Sequence, residues 1–271
     1  MPNKKRSKLN YFPMNAKKLR PAFKYSLFAF LFIIAAAPCL SEDASTTEAK
    51  MRVLFIGNSL TSANNLPAVI ERMASARHHV LKCVSYAPGG YRLNQHASDA
   101  KVLTLIKNGP WDFVVLQDQG QMLALSEDRL RHEVYPYAKY LCESIRAANP
   151  NAKVVFYMTM ARRSGDSTIF DAAGRPLTYK AMQERTIQNY LTMAAENPAL
   201  IAPVGRAWEA VRGQNPSANL YADDMHPNQN GAYLAACIFY KVFFNENSSG
   251  LPPMSIDQKL ARLLQMAADM A

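Results

Sequence analysis

Several features that mark particular protein classes are absent from this 271-residue sequence. It holds only four cysteines and no Cys-x-x-Cys pair, so the usual sequence signs of a redox dithiol or a zinc ribbon are missing. There is no internal repeat and no low-complexity tract, which excludes a solenoid or a fibrous array. No apolar run reaches the roughly 20 residues of a membrane-spanning helix. The longest leading run, 27–37, is about half that length. Acidic residues are also missing from the start of the chain, the first being Glu42.

The last two absences define residues 1–41 as a targeting segment. Lys4, Lys5, Arg6, Lys8, Lys17, Lys18, Arg20 and Lys24 precede the apolar run, and small residues follow it at Cys39 and Ser41. A basic region, a short apolar region and small residues describe a secretory signal peptide. Cleavage is expected after Ser41, because Pro38 spoils both Ala37 as a site and Cys39 as a lipid attachment point. The alternative, a retained anchor, is opposed by the length of the run. The expected product is exported, periplasmic or extracellular, with no stable membrane insertion after cleavage.

Removal of this segment changes the meaning of the charge. The net charge is +10, and subtracting its eight basic residues leaves 10 − 8 = +2. The basic balance therefore belongs to export and gives no support to a nucleic-acid partner. The mature chain has 271 − 41 = 230 residues, enough for one α/β domain with a full core. Residues 42–50 are small and polar and read as a flexible linker, and 51–271 as the domain. The three remaining cysteines, Cys83, Cys142 and Cys237, lie in apolar segments and read as buried small hydrophobes. One disulfide among them is left open.

Apolar runs of strand length at 52–56, 80–86, 113–117, 153–158 and 200–203 alternate with stretches of helical period at 66–77, 99–107, 127–148, 179–196 and 206–212. Two more helices are expected at 229–244 and 256–268. The strands are apolar almost throughout, which suits a parallel sheet covered on both faces. One segment breaks the rhythm: 161–178, after the fourth strand, holds Arg162, Arg163, Asp166, Asp171, Gly174 and Pro176. It leaves the carboxyl end of a strand, the edge at which open α/β sheets bind ligands.

Two short stretches carry chemistry. Val53 to Ile56 ends abruptly in Gly57-Asn58-Ser59, which places a serine hydroxyl just past a buried strand on a turn into a helix. Such a hydroxyl is a nucleophile if a base reaches it; an N-cap serine is the plainer alternative. Far downstream, Tyr221-Ala-Asp-Asp-Met-His-Pro-Asn sets Asp223 three residues before His226. At that spacing the carboxylate can bind one ring nitrogen and leave the other free to accept a hydroxyl proton. A polar helix-entry turn is the competing reading, and one His with two Asp lacks the further ligands of a zinc site.

Together these stretches resemble the SGNH (GDSL-like) hydrolase family. Gly57-Asn58-Ser59-Leu60 is similar to the family's Gly-Asp-Ser-Leu block, with Asn58 in place of Asp, and Asp223-x-x-His226-Pro227 is similar to its last block. The resemblance spans 51–244 and implies a flavodoxin-like three-layer α/β/α sandwich with about five parallel strands. It also implies a serine esterase in which Ser59 is the nucleophile, His226 the base and then acid, and Asp223 the residue orienting His226, with Asp224 as the alternative. No cofactor is implied. His78, His79, His96 and His132 have no matching acidic partner and read as surface or structural.

The family's oxyanion hole uses the serine N–H, a glycine N–H after the second strand and an Asn side chain after the third. Pro88-Gly89-Gly90 offers Gly90, with Gly89 as second choice. After the third strand there is no Gly-x-Asn-Asp; Leu116-Gln117-Asp118-Gln119 stands instead, as in a divergent Leu-Gln-x-Gln subfamily, so Gln117 or Gln119 would supply the amide. Arg162 and Arg163 are candidates for contacting a carboxylate or sugar hydroxyls. Tyr179 and Met182 are candidates for the cleft wall, with a core-facing stripe as the alternative, and Trp111 and Trp208 are expected in the core. The expected substrate is a small-molecule or carbohydrate ester carrying a short acyl group, because the chain reads as exported and has no long apolar lid. Acyl transfer through the same triad, and a scaffold that has lost the oxyanion donor, are the rival expectations.

Overall fold

The computed structural model describes residues 50–271; the expected signal peptide, and all of the expected linker but residue 50, lie outside them. Strands β1 (Met51–Ile56), β2 (Leu81–Tyr86), β3 (Phe113–Leu116), β4 (Lys153–Tyr157) and β7 (Leu200–Ala202) form a five-stranded sheet in the order β2-β1-β3-β4-β7. Every pairing in it is parallel. Each strand lies within one residue of its expected limits.

Period-two alternation distributes the apolar strands between two cores. Val53 and Phe55 face one side and Leu54 and Ile56 the other, all fully buried. Helices α2 (Leu66–Ser75), α8 (Val204–Gln214), α9 (Gln229–Phe244) and α10 (Gln258–Met270) cover the first face. The second is covered by α3 (Leu93–Ser98), α4 (Ala100–Lys107), α6 (Tyr135–Ala148) and α7 (Tyr179–Glu196). The result is the expected three-layer α/β/α sandwich. Helix α9 is apolar nearly all round because it is wrapped by its neighbours, and Phe239 packs edge-on to Phe55 at 5.3 Å. Each such fully buried large side chain contributes about 1.5–3 kcal/mol.

Four details differ from expectation. The helix expected over 127–148 is two, α5 (Glu127–Glu133) and α6, separated at Val134 (φ −130°) ahead of Pro136. Pro in a first helical turn lacks only an N–H that has no partner there, so it starts α6 and does not interrupt one long helix. Helix α3 and the one-turn helix α1 (Ser59–Ser62) were not expected. The segment 161–178 is not structureless: β5 (Asp166–Phe170) and β6 (Pro176–Leu177) pair as an antiparallel hairpin. Cys83, Cys142 and Cys237 are all free thiols, which closes the disulfide question among the described residues. No helix among those residues is long and apolar enough to cross a membrane.

The strand order fixes where a ligand can sit. The chain leaves β1 for β2 on one side and returns past β1 to β3 on the other, so the crossovers diverge at the carboxyl ends of β1 and β3. A crevice opens at such a switch point. Ser59 follows β1 and Gln117 to Gln119 follow β3.

Candidate active site

The turn after β1 is held from beneath. Asn58 caps α1, its Oδ1 accepting from Leu60 N at 3.1 Å, while its Nδ2 donates to the Tyr91 carbonyl at 2.8 Å. Gln117, fully buried, completes the support: its Oε1 accepts from Asn58 N at 2.9 Å and from Thr61 Oγ1 at 2.8 Å, and its Nε2 donates to Asn58 Oδ1 at 2.9 Å. A Cβ on Gly57 would clash with Thr61 and with the Gln117 side chain, so closeness of approach requires glycine here. His96, buried on α3, donates from Nε2 to the Gly57 carbonyl at 2.9 Å. Burial holds that imidazole below its ordinary range and keeps it neutral.

The second turn organises itself. Tyr221 and Pro227 pair as an antiparallel bridge, with Ala222 N bound to the His226 carbonyl at 2.9 Å. Inside it, Asp223 Oδ1 accepts from the backbone N–H groups of Met225 and His226, both at 2.7 Å, and Oδ2 accepts from His226 Nδ1 at 2.7 Å. These donors, the His226 backbone N–H first, hold the Asp223 carboxyl far below the usual carboxylate range. A carboxylate can only accept, so Nδ1 carries the proton and Nε2 is left as an acceptor. Nε2 lies 2.9 Å from Ser59 Oγ. Asn64 joins the two turns by donating to the Pro227 carbonyl at 2.8 Å.

A cavity of about 210 Å³ opens over Ser59 and His226. Its wall includes Asn58, Leu60, Gly90, Gln119, Gly120, Gln121, Met160, Arg162 and Met225. Gly90 has φ +73°, a left-handed conformation that glycine adopts readily. Of the two expected amide donors, Gln119 faces this cavity and Gln117 does not, because its amide is consumed by the Asn58 turn and the Asp118 carbonyl. Of the two arginines, Arg162 lines the cavity; Arg163 instead donates to Asn219 Oδ1 at 3.1 Å and the Tyr221 carbonyl at 3.0 Å. Asp224 accepts from Ser164 N at 3.0 Å and is not the partner of His226.

Other expected residues fall elsewhere. Gly89 is exposed and outside the cavity, Met182 is core, and Tyr179 lies under the Arg212 guanidinium at 3.7 Å. Trp111 and Trp208 are buried, as expected. Residue-by-residue reading missed Gly120, Gln121, Met160 and Met225 in the cavity wall; only the position of Met160 and Gly120 after carboxyl strand ends gave a sign of them. Asp118, fully buried beside Gln119, was also missed. Its Oδ1 accepts from Gln119 N at 2.7 Å and Leu93 N at 3.3 Å, and burial pushes its pKa up to about 7.

The sequence matches no protein-family model and no curated protein. Solved structures do match. A DUF4886 family protein from Bacteroides uniformis aligns with a TM-score of 0.70 at 17% identity, over 82% of this chain and 94% of that one. A protein of Slackia heliotrinireducens described as a "putative SGNH hydrolase" aligns at 0.58 and 26% identity, over 72% and 99%. The acetyl xylan esterase AlAXEase aligns at 0.52 and 15% identity, over 71% and 99%. The fold is that of the SGNH (GDSL-like) hydrolase superfamily.

Proposed function

We propose that this chain is a serine ester hydrolase that removes a short acyl group, acetyl in the first place, from a carbohydrate. The observation that carries the reading is the unbroken hydrogen-bonded series from Ser59 Oγ through His226 to Asp223, at 2.9 and 2.7 Å. As Ser59 Oγ attacks the ester carbonyl carbon, its proton passes to His226 Nε2 and Asp223 stabilises the resulting imidazolium. The carbonyl oxygen becomes an oxyanion, for which the N–H of Ser59, the N–H of Gly90 and the Gln119 amide are the donors. Collapse breaks the bond to the alcohol, which leaves with the proton from His226. Water then attacks the acyl-enzyme as His226 takes its proton; the acyl–Oγ bond breaks, His226 returns the proton to Ser59 Oγ, and the acid leaves.

Size supports a short acyl group. Ligand pockets for drug-sized molecules run to about 300–1,000 Å³, and this one, at about 210 Å³, is walled by Leu60, Met160 and Met225. Arg162 is the one Arg, Lys, Asp or Glu in the wall, and it offers planar donors to a sugar hydroxyl or carboxylate. The acetyl xylan esterase among the similar structures supports a carbohydrate alcohol. The basic-then-apolar segment at 1–41 supports a reaction outside the cytoplasm.

The test is hydrolysis of a p-nitrophenyl ester series by the full chain, beside Ser59→Ala. Turnover should fall with acyl length and vanish in the variant, and acetylated xylo-oligosaccharides should then release acetate. Acyl transfer to added sugar outpacing hydrolysis would make the chain a transferase. No turnover on any ester would overturn the enzymatic reading.

A further inference from the structure

We propose that Gln121 and Arg162 are positioning residues that turn the Gln119 amide so that its N–H groups face the cavity. This rests on the hydrolase reading above for its catalytic meaning, but its geometry stands apart from it. A glutamine used as an oxyanion donor has a longer, more mobile arm than an asparagine. Unless its oxygen is tethered, nothing decides which end of the amide meets the oxyanion.

Here an arginine decides. A guanidinium only donates, and Arg162 Nη2 lies 3.3 Å from Gln121 Oε1. The Gln121 oxygen is thereby fixed toward Arg162, and its Nε2 points the other way, 3.3 Å from Gln119 Oε1. With its oxygen occupied, Gln119 presents Nε2 toward the Gly90 loop, 3.9 Å from where a Cβ on Gly90 would stand. The amide orientations, which are interchangeable in shape, are set by a residue incapable of accepting.

The relay is tied by an ion pair at the Arg162 end and by a backbone hydrogen bond at the Gln119 end. Arg162 Nε lies 3.6 Å from Asp166 Oδ2, and Asp166 is buried on β5, its other oxygen taking Thr168 N at 2.8 Å and Thr168 Oγ1 at 2.6 Å. The Gln119 backbone is held by Asp118 Oδ1 at 2.7 Å. The hairpin β5–β6 thus acquires a role: it carries the carboxylate that steadies Arg162. Gln121 is half-buried and outside the core clusters, so its substitution leaves the packing intact.

Gln121→Glu keeps an acceptor for Arg162 but removes the donor to Gln119, whose amide should then rotate to donate outward from the cavity. Gln121→Leu is the uncharged companion. Losing one oxyanion donor costs about 10²–10³ in turnover; misorienting it should lower kcat on p-nitrophenyl acetate by roughly tenfold to a hundredfold in both variants, with KM little changed. Gln119→Leu combined with Gln121→Glu should be no worse than Gln119→Leu alone. In the full chain, the side-chain amide NMR signals of Gln119 should move in both Gln121 variants while backbone signals of the sheet stay. Wild-type kcat in both variants, or unmoved Gln119 amide signals, overturns the relay. If the wild-type chain hydrolyses no ester, the hydrolase reading fails and the amide signals alone decide: moved signals uphold the orientation, unmoved ones overturn it.

Discussion

Ser59 and His226 meet across the cavity from turns that are held in opposite ways. The Ser59 turn is buried and takes its hydrogen bonds from Gln117, 59 residues on, and from His96 and Tyr91. The His226 turn is exposed, and three of its bonds converge on Asp223 from within the same four residues. A buried polar group whose partner is lost pays its full desolvation cost, whereas an exposed one falls back on water. Damage to the first turn should therefore cost stability and turnover together, and damage to the second turnover alone. The same contrast separates two aspartates: burial raises Asp118, while converging donors lower Asp223.

His226→Ala should break the exposed side most severely. Turnover should fall by about 10⁴-fold or more, while a thermal melt stays within roughly 2 °C of wild type. Asp223→Asn should follow with a loss of about 10²–10⁴, and Asp224→Asn, whose oxygen still accepts from Ser164 N, should leave kcat near wild type. The reverse ranking would transfer the orienting role to Asp224.

On the buried side the largest effect should depend on pH. The unfolded carboxyl of Asp118 titrates near 3.8 and the folded one near 7, so between these values the folded chain keeps a proton that the unfolded chain has released. Stability then falls as pH rises through this window, by up to roughly 4 kcal/mol, and Asp118→Asn should flatten that part of the profile in urea titrations at pH 4.5 and 7.5. Gln117→Leu should cost about 1–3 kcal/mol by stranding Asn58 N and the Thr61 hydroxyl, seen as a lower melting temperature together with reduced kcat. A Gln117→Leu protein that melts like wild type would remove the distinction between the turns.

The same contrast explains what could be read from the sequence. Asp223-x-x-His226 is a local geometry, fully written in four residues, and the five strands are legible because burial on both faces makes them apolar throughout. Gln117 and Gln119 look equivalent in sequence, and a strand's alternation would send both to one face; β3 ends at Leu116, and the irregular chain beyond it turns the first beneath Ser59 and the second into the cavity. Arg162 and Arg163 separate for a similar reason, since irregular chain has no period from which to read direction. The hairpin β5–β6 was hidden because its strands are short and largely polar, and α3 because it is a single short helix behind a Pro-Gly-Gly turn.

The most direct test of the Ser59–His226–Asp223 series is intact-mass analysis of the full chain treated with a fluorophosphonate probe. Stoichiometric modification mapped to Ser59, abolished in Ser59→Ala and greatly slowed in His226→Ala, is the result predicted. An unmodified Ser59 in a folded protein, or modification at an equal rate without His226, would contradict it.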